Sequence, residues 1–119
     1  MKRESKEWIK IAKEDLQSAE CLFAMSLYRM VCYHAQQAVE KILKATLTEH
    51  EAEFSRTHNI LDLCNAVEKV GHKTSLTDED AVFLNSIYTG QGTHLTSGCY
   101  RQVNLQRKML IKPWLLQRM

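Results

Sequence analysis

Residues that break helices are scarce in this chain, which has one proline and four glycines among its 119 residues. Hydrophobic residues make up 45% of the chain and charged residues 25%, so the composition argues against disorder. A chain of this length folds as one domain with one moderate core. We therefore expect a single, mainly helical domain.

Long apolar runs are also absent. The start, MKRESKEW, has no apolar segment of the kind that a secretory signal carries. No run approaches the roughly 18 apolar residues that a membrane-spanning helix needs. The sequence therefore predicts a cytoplasmic protein without a membrane partner.

Motifs for metals and cofactors are missing as well. The four cysteines are far apart and form no CxxC pair, so buried free thiols are expected rather than a disulfide or zinc framework. The five histidines form no Glu-x-x-His or His-x-x-x-His pair, and neither GxGxxG nor GxxxxGK occurs. We expect no metal and no cofactor, so any nucleotide would be held by side chains.

Apolar residues at helical spacing predict two long helices in the first half of the chain. The first covers residues 4–25, and the second begins at Tyr28 and ends near His50. The short break between them predicts an antiparallel pair. The first apolar stripe comprises Trp8, Ile11, Ala12, Leu16, Ala19, Leu22 and Phe23. The second comprises Tyr28, Cys32, Ala35, Val39, Ile42, Leu43, Thr46 and Leu47.

Two shorter helices are predicted to follow. The third has an apolar stripe from Ile60 to Val70 and ends at Gly71, a typical C-terminal cap residue. The fourth opens with Thr77 as its N-cap and Asp80 at its third position, and it ends near Tyr88. The predicted fold is all-α, an up-and-down antiparallel bundle of four to five helices.

Two polar residues interrupt the apolar stripes, Asp15 in the first helix and Gln36 in the second. A buried carboxylate needs a partner to offset its desolvation, and a buried amide needs hydrogen bonds. One interpretation is a polar contact between helices. The other is a polar ligand pocket inside the bundle.

Four segments carry a resemblance to a known family: WIKIAKEDLQSAECLF, YRMVCYHAQQAVEKILKATL, THNILDLCNAV and LNSIY. From Trp8 to Tyr88 the chain resembles the short stand-alone form of the HEPN family, the higher eukaryotes and prokaryotes nucleotide-binding domain. The block AQQAVEKILKA is the most specific part. The resemblance implies a bundle of four or five helices that often pairs into dimers. The long apolar stripes of the first two helices also favour a homodimer.

The resemblance implies two kinds of function. Some HEPN proteins bind a nucleotide or act beside a minimal nucleotidyltransferase, in systems of the toxin-antitoxin type. Others resemble toxins that cut RNA without metal, using an Arg and a His four to six residues apart. Arg29 and His34 have this spacing, but five helical steps place them about 140° apart around the axis. They would converge on one phosphate only across a dimer, so we expect a binding module, with an RNA-cleaving toxin as the alternative.

Four further residues are candidate binding contacts. We expect Gln37, Lys41 and Lys44 on an exposed face of the second helix, where the lysines would meet the phosphate of a nucleotide or the surface of a partner. Alternatively, this face is simply solvated, and Glu40 and Lys44 form an ordinary i,i+4 pair. His58 matches a histidine that is common in the family and is predicted to point toward Asp15, or else to be a cap or a surface ring.

Acidic residues are missing after Asp80. Residues 81–119 hold five basic residues and no acid, whereas residues 1–80 hold eleven basic and fourteen acidic residues, a net charge of −3. The family pattern stops at Tyr88, where relatives usually continue with an Arg-Tyr-Pro segment and an acidic helix. We interpret residues 1–88 as the HEPN-like bundle and residues 89–119 as an atypical basic tail, translated out of frame, in place of the last helix.

Overall fold

The computed structural model describes residues 1–54, 57–74 and 76–88. These form four helices, α1 (Arg3–Ala24), α2 (Tyr28–Glu49), α3 (Ile60–Lys69) and α4 (Asp78–Tyr88), and no strand occurs among them. The predicted all-α bundle is confirmed. The atypical tail, with its proposed change of reading frame, lies outside the described residues and stays a prediction.

The second helix is the centre of the bundle, because α1, α3 and α4 all pack against it. From Ala38 to Leu47 every residue except Lys41 is buried. A helix that is surrounded in this way has no wide solvent-facing side. The core joins α2 to the other three helices through Ile9, Ala12, Val39, Ile42, Leu43, Leu47, Ile60, Leu63, Val67, Ala81 and Leu84.

The buried face of α1 is rotated from the predicted stripe. Ile9 is 2% exposed, whereas Ile11, which was expected in the core, is 39% exposed. The buried residues of this helix are Ser5, Ile9, Ala12, Asp15 and Ala19. The helix therefore turns two small alanines and one carboxylate inward, which brings its backbone close to α2 and gives the carboxylate access to polar partners there.

Three helices end in the same backbone arrangement, the Schellman motif. After α3, the amide of Gly71 donates to Glu68 O at 3.0 Å and the amide of His72 donates to Val67 O at 3.2 Å. Gly71 has φ +93°, as this motif requires, and the predicted cap is confirmed. The motifs after α1 and α2 place Ser26 and Glu51 at positive φ, where no glycine marks them in the sequence.

The starts of α3 and α4 are capped by side chains. Thr77 Oγ1 accepts a hydrogen bond from the amide of Asp80 at 3.1 Å, and the Asp80 carboxylate accepts one from the amide of Thr77 at 3.2 Å. This is the predicted capping box. At α3 the cap is Asn59, whose Oδ1 accepts from the amide of Asp62. The side chain of Asn85 ties α4 to this start, since its Oδ1 accepts from the Ile60 amide at 2.7 Å.

The cysteines only partly match the expectation of buried free thiols. Cys64 is buried and not disulfide-bonded, whereas Cys21 is not disulfide-bonded but is exposed. Cys32 is buried and disulfide-bonded, so the expectation is wrong at that position. Cys99 lies outside the described residues. None of the four described helices combines the length and the apolar character that a bilayer span needs.

Candidate functional site

Asp15 of α1 binds two side chains of α2. Its Oδ1 accepts a hydrogen bond from His34 Nδ1 at 2.9 Å, and its Oδ2 pairs with Lys41 Nζ at 2.5 Å. The side chains of Asp15, His34 and Lys41 are 12%, 24% and 17% exposed. The two partners offset the desolvation of the carboxylate. The contact between helices, one of the two interpretations of Asp15, is therefore present.

Glu40 is the centre of a second polar cluster, on a neighbouring side of α2. Its side chain is 4% exposed, and its oxygens accept from His58 Nδ1 at 2.8 Å and from Lys44 Nζ at 3.2 Å. Gln36 Nε2 lies 3.5 Å from the same carboxylate, and Gln37 donates to Gln36 Oε1 at 2.8 Å. The fully buried amide of Gln36 is thus bonded on both sides, as a buried amide requires.

His58 does not reach Asp15, so that prediction is wrong. Both carboxylate oxygens of Asp15 are already engaged by α2, whereas the segment before α3 passes Glu40. Nor is His58 the helix cap, because that position belongs to Asn59. The side chain of His58 is 47% exposed, so it lies at the edge of the Glu40 cluster.

The predicted exposed basic face of α2 is also wrong. Lys44 is 7% exposed, and its ammonium lies 5.6 Å from the centre of the Trp8 ring as well as against Glu40. Lys41 is half-buried, and its charge is matched by Asp15. Because α2 is surrounded by the other helices, both lysines point into the bundle rather than into solvent. The Glu40 and Lys44 pair does have i,i+4 spacing, but it is buried rather than solvated.

An open groove of about 500 Å³ lies beside the Asp15 cluster. Among the described residues, its walls are lined by Glu14, Gln17, Ser18, Cys21 and Leu22 of α1 and by His34 of α2. The groove therefore combines several kinds of polar group, namely carboxylate, amide, hydroxyl, thiol and imidazole, with the apolar side chain of a leucine. Small-molecule sites of this size typically combine a few polar groups with apolar surface.

Arg29 lies away from this groove. It is exposed near the start of α2, and no hydrogen bond or ion pair joins it to any other described residue. His34, by contrast, is held by Asp15 and lines the groove. Within one chain, the two residues of the nuclease alternative are not brought together.

A match to a family model shows which family the chain belongs to. Residues 5–91 match the family model described as HEPN domain. The chain belongs to the HEPN family. The two polar clusters of this HEPN chain draw Gln36, Gln37, Glu40, Lys41 and Lys44 from one block, AQQAVEKILKA, and that block is the most specific part of the resemblance.

The fold agrees with this assignment. The chain is similar to the crystal structure of ST0689, an archaeal HEPN homologue, with a TM-score of 0.69 and 24% sequence identity. The similarity covers 99% of this chain and 98% of the other. No curated protein matches the sequence. In the described part of this HEPN chain, no group of three or more His, Cys, Asp or Glu residues is placed to hold a metal ion.

Several residues of these clusters were not identified from the sequence. Glu40 is the acceptor on which the second cluster depends, yet its i,i+4 spacing to Lys44 suggested only a surface pair. The groove residues Gln17 and Ser18 gave no signal, because polar residues on the far side of an amphipathic helix are ordinary. Their position beside His34 depends on how α1 is rotated against α2.

Proposed function

We propose that this HEPN chain is a nucleotide-binding module and that the ligand occupies the groove between α1 and α2. The observation that supports it is the Asp15-held imidazole of His34 in the wall of the groove. The bond to Nδ1 fixes the orientation of the ring, so its other edge is presented in one direction. A fixed polar group of this kind gives a site its specificity.

The chemistry of the groove suits the base and ribose of a nucleotide better than its phosphates. Gln17, Ser18 and His34 offer donors and acceptors for base edges and sugar hydroxyls, and Leu22 offers an apolar surface for a ring. Glu14 is negative and would repel a phosphate at that end. Lys41 and Lys44 are already paired with carboxylates, so a phosphate would have to compete for them.

Isothermal titration with nucleosides, monophosphates and triphosphates tests this proposal. We expect saturable binding that is weakened at least tenfold by Gln17→Ala and by His34→Gln, and that is retained by Asn65→Ala, which removes an amide from the exposed side of α3. Because the contacts are mainly uncharged, affinity should change little across a salt series. Equal binding by the groove variants and the parent, or no binding of any nucleotide, would contradict the proposal.

The sequence-based prediction that Lys41 and Lys44 contact a phosphate leads to a different expected result. If the phosphate is the main contact, replacing both lysines by alanine weakens binding in a strongly salt-dependent way. If base and ribose are the main contacts, Lys41→Ala alone leaves the affinity within about twofold. Circular dichroism must first show that each variant is folded, because both lysines neutralise carboxylates inside the bundle.

We further propose that the module works with a minimal nucleotidyltransferase in a system of the toxin-antitoxin type, as the family resemblance implies. The test is whether a small nucleotidyltransferase reading frame adjoins the gene and whether the two products copurify when expressed together. An isolated gene whose product elutes alone would contradict this partner. Growth arrest on expression of this chain alone would favour the nuclease described next.

A metal-free RNA-cleaving enzyme is a second candidate, favoured by one observation. A carboxylate that orients an imidazole through Nδ1 is the usual arrangement of a general base. No cation that could stabilise the phosphate is among the described residues that line the groove, and Arg29 of a second chain would supply one. RNA cleavage that persists in EDTA and is lost in both Arg29→Ala and His34→Gln would establish this reading, whereas an inactive parent protein would exclude it.

A further inference from the structure

Two histidines from different helix ends meet on the surface of the bundle. His50 is the C-cap of α2, and His72 follows Gly71 after the end of α3. Their Nε2 atoms are in direct contact, and their ring centroids lie 4.4 Å apart. His50 is exposed and His72 is half-buried, so the meeting point is reached from solvent. His34 and His58, the other histidines that the structure describes, are bonded to carboxylates.

The backbone around both residues is fixed by hydrogen bonds of its own. The amides of Glu51 and Ala52, directly after His50, donate to Thr48 O at 3.1 Å and Leu47 O at 3.0 Å. The amide of His72 itself donates to Val67 O at 3.2 Å. Each histidine is therefore part of a Schellman motif, which holds its Cα in place whatever its ring binds. Two ring nitrogens carried by fixed backbones form a preorganised pair.

We propose that His50 and His72 together bind a zinc ion or another divalent transition metal of similar softness. The imidazole Nε2 atom is among the commonest protein ligands for these ions. Zn–N bonds measure about 2.0–2.1 Å, so two nitrogens that share a tetrahedral ion lie about 3.3 Å apart. A small rotation of the exposed His50 ring opens the contact to that separation. Water completes the coordination, since no third ligand residue is grouped with the pair in the described part of the chain.

The ion would join the end of α2 to the end of α3. A metal that binds the folded pair and not the unfolded chain raises the stability of the fold by mass action. No sequence motif indicates this site, because the two histidines are 22 residues apart and belong to no metal-binding pattern. The site is separate from the groove and does not depend on the proposed nucleotide binding.

Zinc titration of the metal-free protein tests the inference. The exposed thiol of Cys21 is first replaced by serine, because a free thiol also binds zinc. In this background we expect one zinc per chain and a higher midpoint of thermal unfolding with zinc than without it. His50→Gln and His72→Gln should each lower the zinc affinity at least tenfold, whereas His58→Gln should retain it. Magnesium should have no effect, because it prefers oxygen ligands.

Nuclear magnetic resonance of the imidazole nitrogens gives an independent readout. Zinc should shift the Nε2 signals of His50 and His72 together and leave those of His34 and His58 in place. Circular dichroism without zinc shows whether each variant is folded. The inference is overturned if a folded His72→Gln protein binds zinc as tightly as its parent, if the shifted signals belong to other residues, or if one ion is shared by two chains.

Discussion

The ammonium of Lys44 lies 3.2 Å from the Glu40 carboxylate, one helical turn away, and both side chains are almost completely buried. Removing one partner from a buried pair leaves a charge in a poorly solvated place, at a cost of about 3–5 kcal/mol. Here the remaining contacts to His58 and Trp8 offset part of that cost. The pair is therefore expected to behave as a coupled unit and not as two independent residues.

A double-mutant cycle measures this coupling. We expect Lys44→Met and Glu40→Gln each to lower the free energy of unfolding by about 3 kcal/mol. The loss of unfolding free energy in the double variant should be at least about 1 kcal/mol smaller than the sum of the two single losses, because neither charge is then left without its partner. Urea denaturation of the four proteins gives the values. Strict additivity would show that the two residues act independently.

The Glu40 and Lys44 pair also shows that burial of a side chain cannot always be predicted from the sequence. The i,i+4 spacing of Glu40 and Lys44 is visible in the sequence, but their burial depends on α1, α3 and α4 packing around α2. Periodicity locates the face that an isolated helix would bury, and it does so well for α3, where Ile60, Leu63 and Val67 are buried as predicted. It cannot indicate that a central helix is covered on several sides.

The rotation of α1 could not be predicted from the sequence for a related reason. Ile9 and Ile11 are equally apolar, and only the neighbouring helix decides which of them is buried. The choice brings Asp15 against His34 and Lys41, and it also places Gln17 and Ser18 beside His34 in the groove. The sequence did predict the features that depend only on residues close together in the chain, namely the Thr77 capping box and the Gly71 cap.

The capping box at the start of α4 gives a prediction with a matched control. Thr77→Ala removes the hydroxyl that accepts from the Asp80 amide, and we expect a loss of about 1 kcal/mol in unfolding free energy. Thr77→Ser keeps the hydroxyl and should remain close to the parent protein. Thermal and urea denaturation of the three proteins provide the comparison. Equal stability of the alanine and serine variants would show that the cap contributes nothing.

The Schellman motifs predict opposite effects at two equivalent positions. Gly71 has φ +93° and no atom within 4 Å of the place where a Cβ would lie, so Gly71→Ala should cost about 1 kcal/mol through backbone strain alone. Ser26 has φ +60°, so Ser26→Gly should relieve strain and raise stability by about 0.5–1 kcal/mol after the added chain entropy is counted. The urea midpoint should fall in the first variant and rise in the second. Shifts of the same sign would contradict the assignment of strain.

Glu51 gives a prediction for acid conditions. The hydrogen bond from the Lys2 ammonium, together with its positive charge, lowers the pKa of the Glu51 carboxyl. A carboxyl whose pKa is lower in the folded state contributes stability above its unfolded pKa and loses that contribution as the pH falls through the folded pKa. Lys2→Ala should move the pKa of Glu51 up to its usual range, which a carboxyl-detected NMR titration measures. An unchanged titration curve would show that Lys2 does not bind Glu51 in solution.

The last prediction concerns assembly through the end of the bundle where α1 meets α2. Four large apolar side chains are exposed there, with Met25 67%, Leu27 46%, Met30 42% and Tyr33 44% exposed. Large apolar side chains exposed on neighbouring turns commonly mark an interface, and twofold dimers are the commonest assemblies. We propose a homodimer that buries this patch.

Sedimentation should show a dimer at micromolar concentration, and Met30→Lys should shift it toward monomer by placing charges in the interface. Val82→Lys makes the same change at an exposed position of α4, away from the patch, and should leave the dimer intact. A parent protein that sediments as a monomer, or equal dissociation by both lysine variants, would overturn this assignment.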